Sequence, residues 1–416
     1  MIRRLLTAAL MCVAAASPVR SGPLTRHDLA VPLCAALARA VDATGAAKTG
    51  PVFLVSYEPG PGEAELDPAL RHSAFTYDNA LAAIALVACG DVPRARRIGD
   101  ALLHGLTHDR TFGDGRIRNA YRAGPVGDGA ALLPGWWDAK QNLWAEDSYQ
   151  DGTATGNVAW AALSLLTLDE ATQEPAYRAG AERLLGWITA NATDSRFPAG
   201  FSGGVDGFDP SQTRLHWKST EHNLDVHAVA TWLHRHDGDP AQATVAATAR
   251  GFLDAAFVAD PGLFRLGTTP EGALQPVTHV ALDTQVWPLV GVVNPPEAWS
   301  KAMAYAEHHL SVPGGFDFNE DRDGLWVEGT AQAALTLRAL GHADAARRLL
   351  DGLKAQIAPS GYLFATNVAR LTTGIAIGPA SHEADFYYYR RPHLGATAWA
   401  VLAALAWNPF TGRILE

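Results

Sequence analysis

"TGNVAWAALSLLTLDEATQEPAYRAGAERLLGWITAN", residues 155–191, joins two helical patterns of unlike character through a short turn. Its first half, 155–172, is apolar nearly all round, as a helix in a buried layer must be. Its second half, 175–191, sets Arg178, Glu182 and Arg183 against an apolar stripe, the pattern of a helix with one wet face. Such a pair cannot bury its apolar faces alone and needs neighbours of the same kind.

The chain supplies them. Residues 76–91 "TYDNALAAIALVACGD" precede 92–106 "VPRARRIGDALLHGL", and 219–239 "STEHNLDVHAVATWLHRHDGD" precede 240–257 "PAQATVAATARGFLDAAF". The grammar returns in 282–292 "LDTQVWPLVGV" with 296–310, and in 327–343 "VEGTAQAALTLRALGHA" with 344–357. A last apolar helix, 394–407 "LGATAWAVLAALAW", has no partner after it, and "DLAVPLCAALARAVDAT" at 28–44 has none before it. If the two chain ends pair, the sequence predicts six hairpins and twelve helices: an all-α (α/α)6 barrel with an inner and an outer ring. An open solenoid would keep a regular repeat length, which these pairs do not.

Irregular length lies in the links that enter each inner helix. The longest, 113–152 and 200–223, are rich in Gly, Trp, Asp and Tyr, while the links within pairs are short. Long structured loops gathered at one end of a barrel are usually binding loops. All of them lead to helix N-termini, so one rim carries both the elaboration and the positive helix ends.

At 416 residues, 48% hydrophobic and 18% charged, the chain has the composition of a soluble globular protein. A formal charge of −10 without a Lys/Arg-rich run argues against nucleic acid as partner. Residues 1–16 read as a signal peptide: Arg3 and Arg4, an apolar stretch too short to span a bilayer, then small residues at 14–16. The expectation is an exported protein, periplasmic or secreted, with residues 17–416 as one barrel domain, no membrane insertion after cleavage and a monomeric state. Loss of Arg3 and Arg4 takes the formal charge from −10 to about −12. Export leaves Cys34 and Cys89, either bridged or as two buried thiols, and neither has His or Cys neighbours at metal-site spacing. No cofactor and no metal is expected; the acidic stretch 315–326 "GFDFNEDRDGLW" lacks the closing Glu of an EF-hand and reads as a hydrogen-bonded turn.

The six-hairpin count, with acidic or aromatic residues at inner-helix starts, resembles the (α/α)6-barrel glycosidase superfamily. That group includes glucoamylase-like hydrolases, unsaturated glucuronyl hydrolases, sugar 2-epimerases and several polysaccharide lyases. The resemblance covers almost the whole mature chain as architecture, without the complete signature of any one member. It implies a substrate cleft at the N-terminal ends of the inner helices.

Four inner helices open with a carboxylate there: Asp78, Glu221 with Asp225, Asp283, and Glu328. Taken singly, each also suits helix capping or the helix dipole. Taken together in a closed barrel they converge on one cleft, as glycoside hydrolysis requires of its protonated acid and ionised partner. Glu221 is the first choice for the acid, Asp283 and Asp78 for the base, and Glu328 a competing acid. Asp225 and His222, Tyr77, Trp136, Trp137, Trp217, Trp326, Tyr388, Arg390 and His393 are candidate carbohydrate-binding residues, since aromatic faces pack on sugar rings while polar groups take hydroxyls. Trp160, Trp287 and Trp399 fit either core or cleft. The leading function is hydrolysis of an oligo- or polysaccharide. A lyase using the Tyr, Arg and His residues of 381–399 (His382 among them) and a non-catalytic carbohydrate-binding barrel are the alternatives. An epimerase would want paired histidines, and His222 and His227 are poorly aligned for that.

Overall fold

The computed structural model describes residues 26–45, 49–379, 381 and 383–415. The signal-peptide reading of residues 1–16 and the lyase candidate His382 lie outside the described residues.

Six inner helices, Thr76–Ala88, Thr155–Thr172, Thr220–Asp237, the short pair Leu282–Val286 and Pro288–Gly291, Val327–Ala339 and Leu394–Ala404, stand in a closed ring, each packed on the next and the last on the first. Six outer helices surround them: Ala30–Ala43, Val92–Thr107, Pro175–Ala192, Pro240–Ala256, Lys301–His309 and Ala343–Leu353. Among the described residues the first helix, Ala30–Ala43, packs on Leu394–Ala404, so these two helices close the barrel as the sequence predicts. A disulfide between Cys34 and Cys89, with Cα atoms 5.9 Å apart, ties that outer helix to the end of the first inner one. Two free thiols are thereby ruled out.

Burial follows the two sequence patterns. Every residue from Thr155 to Asp169 is buried, whereas Pro175–Ala192 buries Tyr177, Gly180, Ala181, Leu184, Leu185, Trp187 and Ile188, one stripe at helical spacing. Proline at the first turn starts the outer helices at 175 and 240, where its missing N–H costs nothing. One element differs from expectation. The fourth inner helix is broken, because Pro288 cannot donate to the helical ladder and splits the segment after Val286.

The opposite end of the barrel is sealed by the tail. After Leu394–Ala404 the chain crosses the C-terminal ends of the inner ring: Asn408 Nδ2 donates to the Val290 carbonyl at 2.8 Å, and Arg413 reaches Glu170. Phe410 inserts beside Trp160, Trp287 and Trp399, with ring centroids 5.2, 5.5 and 6.3 Å away. Those three indoles are at most 1% exposed. They form an aromatic layer between the tail and Tyr77, which contacts Trp160 and receives the Trp399 indole N–H.

Candidate active site

At the open rim, short antiparallel ribbons hold the long links in place. Ser73–Phe75 pairs with Ala120–Arg122 before the first inner helix, and Thr153–Ala154 pairs with Gly204–Asp206 before the second. Buried amides lock the helix entries: Asn79 exchanges hydrogen bonds with the Leu54 backbone and Asn223 with the Phe201 backbone.

Helix capping and the acidic side chains prove to be separate matters. Ser219 is the N-cap of the third inner helix, its hydroxyl accepting from the His222 amide, which leaves the Glu221 carboxylate unengaged by the helix end. Phe75, Ala281 and Trp326 occupy the cap positions before Asp78, Asp283 and Glu328 and make no side-chain cap bond. Asp283 alone leans on its own helix, accepting from the Thr284 amide at 2.6 Å.

The fifth, sixth and first inner helices build one connected group. Tyr77 donates its hydroxyl to Glu328 Oε1 at 2.7 Å and itself receives the Trp399 indole N–H at 2.8 Å. Gln332, one turn on from Glu328, donates to the same oxygen at 3.3 Å, while Oε2 is buried without a hydrogen-bond partner. His393 stands between Asp78 and Glu328, with Nε2 3.3 Å from Asp78 Oδ1 and Nδ1 3.6 Å from Glu328 Oε2. Its Nδ1 accepts from the Ala396 amide at 3.3 Å, which places the neutral ring's proton on Nε2, toward Asp78. Tyr57 stacks on the imidazole at 4.3 Å between centroids. Gly395 permits this crowding: a Cβ there would lie 2.6 Å from Asp78 Oδ1 and 3.2 Å from Glu328 Oε2. Those two oxygens are therefore no farther apart than 5.8 Å, the sum of the two distances.

Electrostatics joins the other carboxylates to this group. Burial pushes Glu221 well above the ordinary carboxylate range, and the charges of Asp283 and Glu328 push it further. Asp225, fully buried with both oxygens unpartnered, is raised by burial and then by Glu221 and Asp283. Asp283 is raised to about 6 by burial, which the Thr284 amide moderates. Glu328 is raised to about 7 by burial, although His393 and the Tyr77 hydroxyl favour its charged form. His393 is raised too: burial opposes its charge, and the Asp78 and Glu328 carboxylates outweigh burial. So many carboxylates this close cannot all ionise, and the arrangement keeps protonated and ionised acids side by side near neutral pH.

The aromatic candidates divide. Trp217 lies against His222, ring centroids 5.5 Å apart, over a Gly203 that has no room for a Cβ. Burial drops His222 to about 4, so it is neutral, and its Nδ1 has no partner. Trp326 and Tyr388 are buried together with Phe318, the Tyr388 ring 6.4 Å from that of His393. Arg390 covers the Phe364 ring at 4.4 Å, and Arg391 is tied to Glu63 and Asp67. Trp136 and Trp137 belong to a surface ribbon, Trp136–Asp138 paired with Leu143–Ala145. His227 turns outward to the Ala246 carbonyl. In the 315–326 stretch Asp317 accepts from the Phe318 and Gly324 amides, Thr372 bonds both Asp321 and Asp323, and the three aspartates bring carboxylate oxygens within 4.8 Å of one another. Burial raises Asp317 to about 7.

Sequence reasoning missed Tyr57, Gln332 and Gly395, while Trp399, which fits either core or cleft by sequence, bonds Tyr77. Gln332 follows Glu328 by four residues, so helical spacing alone places it on the same face. Tyr57 arrives from a loop before the first inner helix, where no periodicity points to it.

No protein-family model and no curated protein matches the chain. Among solved structures it is similar to a glycosidase (18% identity, 92% of this chain and 96% of that one, TM-score 0.61). It is also similar to cellobiose 2-epimerase from Spirochaeta thermophila (15%, 91% and 95%, TM-score 0.62) and to an alpha-amylase from Clostridium perfringens (11%, 93% and 100%, TM-score 0.58). The chain is thus a six-hairpin (α/α)6 barrel, the fold those enzymes share.

Proposed function

We propose that this chain is an exported glycoside hydrolase that cleaves an oligo- or polysaccharide at the N-terminal rim of the inner helices. The observation that carries the reading is the convergence of carboxylates from four separate inner helices: Asp78 and Glu328 share His393, and the charges of Asp283 and Glu328 act on Glu221. Glu221, raised well above the ordinary carboxylate range and half-buried, is the acid for the departing glycosidic oxygen. Asp283, ionised above about pH 6, is the partner that takes a proton from water or attacks the sugar. Glu328, fixed by Tyr77 and Gln332, and the Asp78–His393 pair support the charge that develops between them.

The test is a reducing-end assay on neutral and acidic glycans, with Glu221→Gln and Asp283→Asn alongside. Each substitution should cut kcat by about 10²–10⁴-fold. Unchanged rates in both would remove the assignment, and an unsaturated product absorbing in the ultraviolet would establish a lyase instead. Arg391 is already paired with acids, which counts against uronate recognition through that residue. A sugar epimerase is the second reading, favoured by neutral His222 with its unpartnered Nδ1 and by His393 at the same rim. Proton NMR of the incubated sugar, showing an epimer without new reducing ends, would decide for it.

A further inference from the structure

The ribbon formed by Trp136–Asp138 and Leu143–Ala145 projects two indoles into solvent, with Trp137 57% and Trp144 46% exposed. They are directly opposed cross-strand partners, so they share one face of the ribbon, while Trp136, Asp138, Leu143 and Ala145 take the other. Exposed tryptophan pairs are costly to solubility, and this pair is held in place rather than loose. The Arg122 guanidinium sits 5.1 Å over the Trp144 ring, and Gly135 passes so close beneath that a Cβ would meet the indole nitrogen at 2.5 Å. At the turn, Asp138 accepts from the Lys140 and Gln141 amides and from the Gln141 side chain.

From this geometry we infer that the Trp137–Trp144 face is a platform for a polysaccharide strand leaving the cleft, so that the substrate is a polymer rather than a short sugar. The inference rests on the carbohydrate reading of the site. Two observations support it. Continuity is the first: Trp144 precedes Tyr149 by five residues, and the Tyr149 ring lies 6.3 Å from that of Phe75, the residue that opens the inner helix carrying Asp78. Five residues span at most about 17 Å of chain, a distance a short run of sugar residues bridges. Area is the second. Two half-exposed indoles offer at most about 250 Å², well short of the roughly 800 Å² per partner of a stable protein interface. A sugar ring needs only one flat aromatic face, and the Arg122 guanidinium at Trp144 is a donor for a hydroxyl.

The experiment is native electrophoresis through gels containing hydroxyethyl cellulose, xyloglucan, laminarin, dextran, amylopectin, pectin or alginate. It compares the whole chain with Trp137→Ala/Trp144→Ala, Trp137→Tyr/Trp144→Tyr and Glu221→Gln, each checked for an unchanged thermal midpoint. The expected result is retardation of the wild type by at least one polymer, at least a fivefold rise in its dissociation constant in the double alanine variant, recovery in the tyrosine variant and retention in Glu221→Gln. Equal retardation of wild type and double alanine variant overturns the platform. So does absence of retardation in every gel, or a wild-type dimer in size exclusion that the alanine variant abolishes. If the tryptophan-dependent retardation is seen but no glycosidic bond is ever cut, the platform stands and the hydrolase reading falls; cleavage without it gives the reverse.

Discussion

Replacing Glu328 by Gln tests the buried carboxylate cluster without any substrate. Glutamine preserves the shape, and its carbonyl still accepts from Tyr77, so the variant differs from wild type mainly in having no proton to lose. In the folded protein Glu328 titrates at about 7, against an ordinary value of 4.5. The sign follows from proton counting. Between those values the folded state holds a proton that the unfolded state has released, so stability falls as pH rises through the interval and is level above it. At 1.36 kcal/mol for each pH unit crossed, wild type should lose about 3 kcal/mol relative to Glu328→Gln between pH 4.5 and pH 8. Urea unfolding of both proteins across that range, read as the difference in midpoint free energies, measures it. Groups remote from Glu328 cancel in the difference, whereas Glu221 and His393, both raised by its charge, contribute to it. A flat difference would mean that Glu328 is ionised throughout, and a rise in wild-type stability with pH would reverse the reasoning altogether.

Tyr77→Phe should move the same titration further upward, because the lost hydroxyl favoured the charged carboxylate, and should leave the Trp399 N–H unsatisfied at about 1–3 kcal/mol; the same urea series reads both effects. Gly395→Ala forces Asp78 and Glu328 away from a new Cβ and should cost about 1–3 kcal/mol, with loss of turnover, seen as a lower thermal midpoint and a reduced rate. Cys34→Ser opens a loop of 55 residues, which the chain-entropy relation values at about 4 kcal/mol; denaturant midpoints with and without reductant should show it, and the reduced wild type should match the variant. The acid limb of the pH–rate profile should fall below about pH 6, where Asp283 takes up its proton, and should vanish from the residual activity of Asp283→Asn.

The architecture was legible because helix periodicity and the alternation of all-apolar with amphipathic segments are local properties, and local properties survive in a sequence. Even the ring closure follows from an unpaired helix at each end. Pro288 shows the limit on that level: the segment reads as one helix by hydropathy, yet a single missing N–H divides it. The site was legible in composition but not in geometry. Acids at helix starts are visible as a pattern, whereas the seating of His393 between Asp78 and Glu328 depends on Gly395 and on Tyr57 from a distant loop. Trp160, Trp287 and Trp399 were undecided until the tail brought Phe410 across them.

Energetics bears on why these carboxylates are there at all. A buried acid whose titration is raised lowers stability at neutral pH, and Asp225, with two unpartnered oxygens, lies near the costly end of that scale. Asparagine or glutamine at Asp225, Asp283 or Glu328 would fill the same space without that cost. Capping does not account for the acids either: Ser219 caps the helix that carries Glu221, and the helices of Asp78 and Glu328 make no side-chain cap bond. Nor do ion pairs explain the set, since the cation that faces Glu328 and Asp78 is one histidine, whose own charge burial opposes. What the arrangement does provide is neighbouring acids with different titrations, Asp283 at about 6, Glu328 at about 7 and Glu221 raised well above the ordinary range. A fold gains nothing from that property, and proton transfer to a sugar oxygen depends on it. If Glu328→Gln and Asp225→Asn both prove more stable than wild type at pH 8 and both lower turnover, stability and chemistry will have been separated at the same side chains. If either is less stable at pH 8, that side chain contributes to the fold as a charge, and its place in the barrel needs a structural reason.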